Sequence, residues 1–319
     1  MSSTQPLGGT ELSVPRLGVG TMTWGDPSGL GRINPAKLSY GGADGVDEEA
    51  RAFESSLAAG VTLFDTAAMY SYGASERRLG ELASGKPALI ATKFPPGMRA
   101  TAEDMPRALD ASLVRLGRVN VDLYQHHYPA KRVDIARLMG LMADAVAEGK
   151  VKAVGVSNYS AEQMRTAQAA LAQRGVPLAS NQVQYSLLHR QPETNGVLET
   201  CRELGVTLIA YQPLASGALT GKYLAGARPR GLRRFMPAFR RKGRESVSSV
   251  VGLLREIGAG HGTGPSQVAI RWLIENDSVL PIPGAKNGAQ AVANAQSLSI
   301  RLSPDELDAL DRATLAWRE

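Results

Sequence analysis

Residues 61–70 read V-T-L-F-D-T-A-A-M-Y. A short apolar run ends in an acid, Asp65, and a tyrosine, Tyr70, follows five residues later. Two later runs end in the same manner. Residues 88–93 (A-L-I-A-T-K) close on Lys93, and residues 121–127 (V-D-L-Y-Q-H-H) close on a histidine pair. Near-continuous apolar strands of this kind belong to a parallel sheet buried on both faces. The polar residues at their ends mark a candidate active site.

Working outward, the polar strand exits Asp65, Lys93, His127, Ser157, Gln182 and Tyr211 recur roughly 30 residues apart, the length of one strand–helix unit. Helical patterns fill the gaps, two of them opened by capping boxes, Ser160-Ala-Glu-Gln163 and Ser303-Pro-Asp-Glu306. Residues 6–19 read as a small hairpin with a Gly-Gly turn that runs into a first strand ending near Gly20. Eight strands can be counted, the last at 279–282, and eight such units close most naturally as a (β/α)8 TIM barrel. Extra helices are expected near 246–256 and 265–276. The alternative, a doubly wound open sheet, would carry G-x-G-x-x-G after its first strand; here Gly18-Val-Gly20-Thr-Met-Thr23 lacks the third glycine.

At 319 residues and 43% hydrophobic content the chain supports one large domain, 1–319. Its single cysteine, Cys201, forms no internal disulfide, so a reducing, cytoplasmic setting is expected. The first ten residues show no signal pattern, and no stretch is long and apolar enough for a bilayer. The net charge of +6 resides in one segment, 228–244, which carries eight cations and no acid. The remainder is slightly acidic, so nucleic acid is not an expected partner. That segment reads as a solvated loop, a cover over an anionic ligand, or an acidic partner's site through Phe235 and Phe239.

Neighbouring strands lie about 4.8 Å apart, so side chains at adjacent strand ends can meet. An ordering follows. Asp65 holds the charge of Lys93, Lys93 lowers the pKa of the Tyr70 phenol, and Tyr70 donates a proton. A histidine near neutrality orients a substrate oxygen. Such apparatus protonates a carbonyl oxygen and needs a cofactor to supply the electron pair. His126 and His127 point to opposite sides of a strand, so only one faces the pocket and the two make a poor metal pair; no metal is expected.

The chain resembles the aldo-keto reductases over about residues 7–312. The resemblance rests on F-D-T-A-A-M-Y (64–70), S-E-R-R-L-G (75–80), I-A-T-K (90–93), D-L-Y-Q-H-H-Y-P (122–129), V-G-V-S-N-Y (154–159), N-Q-V-Q-Y-S (181–186), A-Y-Q-P-L-A-S-G-A-L-T-G (210–221) and P-I-P-G-A-K (281–286). It implies hydride transfer from NADPH to an aldehyde or ketone, with Asp65, Tyr70, Lys93 and His127 as the catalytic set. His127, rather than His126, matches the histidine of D-L-Y-x-x-H. Ser157, Asn158 and Gln182 resemble the trio that binds the nicotinamide carboxamide, and Tyr211 the aromatic that stacks on its ring. Gln212, Leu214, Ser216 and Gly217 resemble the pyrophosphate loop, and Gly20 and Thr21 the turn after the first strand. Gly284, Lys286, Gln290 and Asn294 fall in the adenosine segment. There Lys286 would meet a 2′-phosphate, while Asn287 stands where many relatives carry an arginine or hydroxyl, which leaves NADH possible.

Trp24, Phe94 and Tyr128, just past strand ends, are read as substrate-pocket lining. His189 and His261 read as loop residues, Cys201 as packing, and Glu76 as support for a helix start. The alternative function is an NADPH-binding redox sensor or regulator with slow reductase activity. The substrate would be chosen by loops 22–46 and 212–245, and the sequence gives no reading of oligomeric state.

Overall fold

The apolar runs fold as eight parallel strands: β3 (Gly18–Gly20), β4 (Leu63–Asp65), β5 (Leu89–Phe94), β6 (Val121–His126), β7 (Val151–Ser157), β8 (Leu178–Gln184), β9 (Thr207–Tyr211) and β10 (Val279–Pro281). Each pairs with its sequence neighbour from β3 to β10. A computed structural model describes residues 4–25, 45–95, 100–223, 235 and 237–319, with residues 237, 241, 242 and 244 in backbone only. The barrel closes at Gly20, which bridges to Gly284 and donates its N–H to the Pro283 carbonyl at 3.1 Å. Glycine suits this seam: a Cβ on Gly18 would lie 2.9 Å from the Ile282 side chain, and one on Gly20 3.1 Å from the Ile282 carbonyl.

Inside the barrel a layer of Leu63, Ala91, Leu123, Ala153, Ala179, Ile209 and Leu280 is plugged from below by Leu7 and Val14. Those two come from the expected N-terminal hairpin, β1 (Thr4–Pro6) and β2 (Ser13–Pro15), which pair antiparallel. The hairpin turn presses Gly8 (φ +55) against β8, where a Cβ would sit 2.4 Å from the Ala179 carbonyl oxygen.

The helices pack their apolar faces on the outside of the strands. They are α1 (Val46–Ala58), α2 (Ala74–Leu82), α3 (Met105–Leu116), α4 (Ile135–Ala147), α5 (Ala161–Ala172), α6 (Val197–Leu204), α7 (Arg241–Gly260), α8 (Pro265–Ile274), α9 (Gly288–Gln296) and α10 (Pro304–Ala313). Both capping boxes read from the sequence form, at Ser160 with Gln163 and at Ser303 with Glu306. Ser160→Ala should therefore cost about 1 kcal/mol, read as a lower urea midpoint with an unchanged slope.

Two expectations need correction here. Helix α7 starts at Arg241, so 241–244 is helix rather than loop. Its buried Val247, Val250, Val251 and Leu254 recur at helical spacing, and the helix runs on upstream of them. Phe239 is not part of an open face: it packs on the Tyr223 ring at 5.0 Å, while Phe235 is exposed. Residues 228–234, and 26–44 of the first substrate loop, lie outside the described residues. Helix α9, capped by the Asn287 side chain, was not foreseen. No described helix is long and apolar enough to cross a membrane.

Candidate active site

Strands β4 and β5 bring Asp65 and Lys93 together above the apolar interior. Both are buried, with Lys93 Nζ 2.5 Å from Asp65 Oδ1 and 2.7 Å from the Thr66 carbonyl oxygen. The third neighbour of Nζ is the Tyr70 hydroxyl, at 3.3 Å. The ammonium also lies 4.9 Å from the centre of the Tyr70 ring. His127, just past β6, sets its imidazole edge-on to that ring at 5.8 Å. The four residues expected to act together do converge.

Tyr70 is held by a loop with unusual backbone. Ser71 (φ 49), Tyr72 (φ 54) and Gly73 (φ 81) are all left-handed. Each non-glycine residue there costs about 1–3 kcal/mol. Neighbouring contacts fix the loop. Buried Glu76, at the start of α2, accepts from Thr92 Oγ1 and from Arg115 Nε, both at 2.6 Å. Arg115 crowds Gly73, where a Cβ would lie 2.6 Å from its Cδ. Glu76 lies in the first turn of α2 and joins β5 to α3 behind the tyrosine.

The electrostatics differ from expectation in one respect. Burial lowers the Lys93 pKa and Asp65 opposes that, in the anticipated sense. The Tyr70 phenol, however, is pushed well above its ordinary value, by burial first and then by the Asp65 carboxylate and Tyr128. Burial and the Asp65 carboxylate both disfavour a phenolate there, and Lys93 does not offset the two. What it offers is an N–H directed at the hydroxyl oxygen, which counts most when negative charge develops there. Tyr70 is therefore fully protonated at neutral pH.

The histidine pair divides as strand alternation requires. His126 faces outward, stacks on Phe94 and lies 2.7 Å from the Tyr159 hydroxyl through Nδ1. His127 faces the site, and Tyr128 stacks on it at 4.7 Å. Burial lowers His126 to about 4, while burial with the Lys93 charge lowers His127 to about 2. Both imidazoles are neutral at physiological pH. An unfolded chain takes up protons on these histidines below about 6.5 that the folded chain refuses, so stability should fall as pH drops from there towards 4. Urea titrations across that range would show it, and His126→Phe should flatten the slope.

Around this centre Ser157 donates to the Gln182 carbonyl at 2.8 Å, and Asn158 (φ 59) donates to Ser157 Oγ and the His127 carbonyl. The Tyr211 hydroxyl donates to Asn158 Oδ1 at 3.0 Å. Gln212 (φ 53), Ser216 (φ 57) and Gly217 (φ 91) turn the following loop back on itself, with Leu214 accepting from the Gly217 N–H. On the other flank Gln290 accepts from the Lys286 N–H, and Asn294 donates to the carbonyl of exposed Gly284.

Three assigned residues do not line an open pocket. Thr21 is fully buried, and its N–H and hydroxyl both engage the Asp65 carbonyl at 2.9 Å, so it supports Asp65 from behind. Trp24 is core: its indole N–H donates to the Ala285 carbonyl and its ring packs on Phe64. Phe94 follows inward Lys93 and so points outward, into the layer between strands and helices. Of the three pocket residues expected, Tyr128 is exposed at the rim, and Met69 and Tyr72 beside Tyr70 are exposed with it. Cys201 is packing, its thiol pushed up to about 12 by burial.

The aldo/keto reductase family model matches residues 16–314. An uncharacterised oxidoreductase of Mycobacterium tuberculosis is 38% identical over 96% of this chain and 91% of its own length. A Schizosaccharomyces pombe aldo-keto reductase named for NADP(+) is 32% identical over 76% of each. Among solved structures, a thermostable aldo-keto reductase crystallised with the inhibitor epalrestat superposes with a TM-score of 0.75, at 27% identity, over 97% of this chain and 99% of that one.

Proposed function

Because the chain belongs to the aldo/keto reductase family of oxidoreductases, we propose that it reduces the carbonyl group of an aldehyde or ketone with NADPH. The observation that carries this reading is Lys93 Nζ seated between the Asp65 carboxylate and the Tyr70 hydroxyl.

The residues present suit a nicotinamide dinucleotide. Ser157, Asn158 and Gln182 bring amide and hydroxyl groups to adjacent strand ends, next to the Tyr211 ring. The left-handed residues of 212–217 give the concave backbone that cradles phosphates. Lys286, ahead of α9, is the cation for a 2′-phosphate. When bound, the dihydronicotinamide supplies a hydride to the carbonyl carbon.

This chain's own residues do the rest. Neutral His127 hydrogen-bonds the carbonyl oxygen and orients it beside Tyr70. Tyr70 gives up its hydroxyl proton to that oxygen as charge builds. Lys93 stabilises the resulting phenolate through its N–H, and Asp65 keeps Lys93 charged against burial. Met69 and Tyr72, which flank Tyr70 in the sequence, and Tyr128, which follows His127, are exposed, and such apolar surface suits a medium-sized, partly apolar substrate.

NADPH oxidation followed across a panel of carbonyl compounds tests the assignment; no turnover with any of them would overturn it. Lys286→Met should weaken NADPH binding about tenfold, the worth of one charge-assisted contact, and leave NADH binding unchanged. Titration calorimetry with both cofactors checks this.

A further inference from the structure

The interior of the barrel directly beneath the site holds a polar residue that the proposed reaction does not use. Gln125 lies on β6, is fully buried, and points inward with Leu123 and His127. Its Nε2 donates to Asp65 Oδ2 at 3.2 Å, on the opposite side of the carboxylate from Lys93. The strands make room for it. It pairs in register with Gly155 of β7, and a Cβ there would come within 3.0 Å of Gln125 Cγ and 2.3 Å of Ser180 Oγ.

Gln182 arrives at the same spot by an irregularity. Between Val154 and Gly155 the β7–β8 register shifts, so that Val154 faces Leu178 while Gly155 faces Ser180. The extra residue changes the alternation of β8 and turns Gln182 inward although Ala179 already points in. Bulges beside active sites commonly re-aim a side chain in this way. Gln182 Nε2 then donates to Asp65 Oδ2 at 2.9 Å and to Gln125 Oε1 at 3.3 Å.

The polarity of this triangle is determined by chemistry. An ionised carboxylate only accepts hydrogen bonds. Both glutamines must therefore turn their NH2 groups to Asp65, and Gln125 must offer its carbonyl oxygen to the second N–H of Gln182. Both Gln182 donors are then engaged, and its Oε1 is left to face the site as an acceptor.

We propose that Gln125 is a positioning residue that, with Asp65, fixes the amide of Gln182 so that only an N–H donor is accepted at the carboxamide position of the cofactor. The inference rests on the NADPH reading above and deepens it. The site thereby selects the carboxamide over an otherwise equal group with no N–H. Without Gln125, the Gln182 amide loses one of its two fixed acceptors and can rotate to present either polar end.

The test compares two ligands by titration calorimetry, NADP+ and its 3-acetylpyridine analogue, in which a methyl ketone replaces the carboxamide. The wild-type protein should bind NADP+ about tenfold more tightly than the analogue, one hydrogen bond's worth. Gln125→Met, which conserves volume, should bring the two to within about twofold by weakening NADP+ alone. Gln125→Glu at pH 6 should restore the preference. Beside Asp65 its buried carboxyl keeps its proton and offers the same donor and acceptor as the amide. A wild-type preference retained in Gln125→Met, or absent from the wild type, would overturn the inference while the reductase reading stands. Binding of neither ligand to the wild type would instead remove the reductase reading.

Discussion

Replacing Tyr70 with phenylalanine should lower kcat about 10²–10⁴-fold, the usual contribution of a placed general acid, and leave NADPH affinity within about twofold. The substitution deletes one oxygen. The ring keeps its edge contact with His127 and its place 4.9 Å from the Lys93 ammonium, so the surrounding geometry has no reason to move. What is lost is the proton delivered to the substrate oxygen. The raised phenol pKa makes this prediction sharper. A phenol acidified by a nearby cation would be partly ionised in mildly alkaline solution, and activity would decline there through Tyr70. A phenol pushed upward stays loaded, so the wild-type rate should be flat between pH 7 and about 9, short of the ordinary phenol pKa. Stopped-flow reduction under single turnover separates the chemical step from release of product. A Tyr70→Phe variant with unimpaired single-turnover rate would remove Tyr70 as the acid.

Much of this centre was legible in the sequence because it follows the simplest rule of a parallel barrel: side chains alternate, and the last inward residue of a strand faces the barrel mouth. Asp65, Lys93 and His127 obey that rule directly. The same rule, applied strictly, would have removed Phe94, since a residue adjacent to inward Lys93 must point outward. Trp24 failed for a different reason. Position after a strand end does not reveal that the chain folds back and buries the indole against Ala285. Thr21 lies where the turn should be, but its backbone and hydroxyl are both engaged with Asp65. Gln182 was read as a strand exit, and only its carboxamide role came from resemblance. Its inward direction depends on the β7–β8 register shift, which alternation in the sequence cannot express. The rise in the Tyr70 pKa was illegible because it depends first on how deeply the fold buries the phenol and then on its distance from the Asp65 carboxylate.

The ion pair itself supplies the second large effect. Lys93→Met alone should destabilise the protein by about 3–5 kcal/mol, since it strands a buried Asp65 carboxylate with amide donors only. Asp65→Asn alone should cost less. It strands a buried ammonium, but burial already lowers the Lys93 pKa, and the amine can shed its proton. The double variant Asp65→Asn/Lys93→Met carries no buried charge and should recover stability to within about 1 kcal/mol of the wild type. Activity should not return with it. In all three variants the phenolate formed by proton donation lacks a charged N–H to receive it, so kcat should stay down about 10²-fold or more. Urea unfolding and steady-state turnover on the same four proteins separate the two roles. If stability and activity recover together in the double variant, Lys93 serves only to neutralise Asp65; if stability alone recovers, its hydrogen bond to Tyr70 at 3.3 Å is the functional contact.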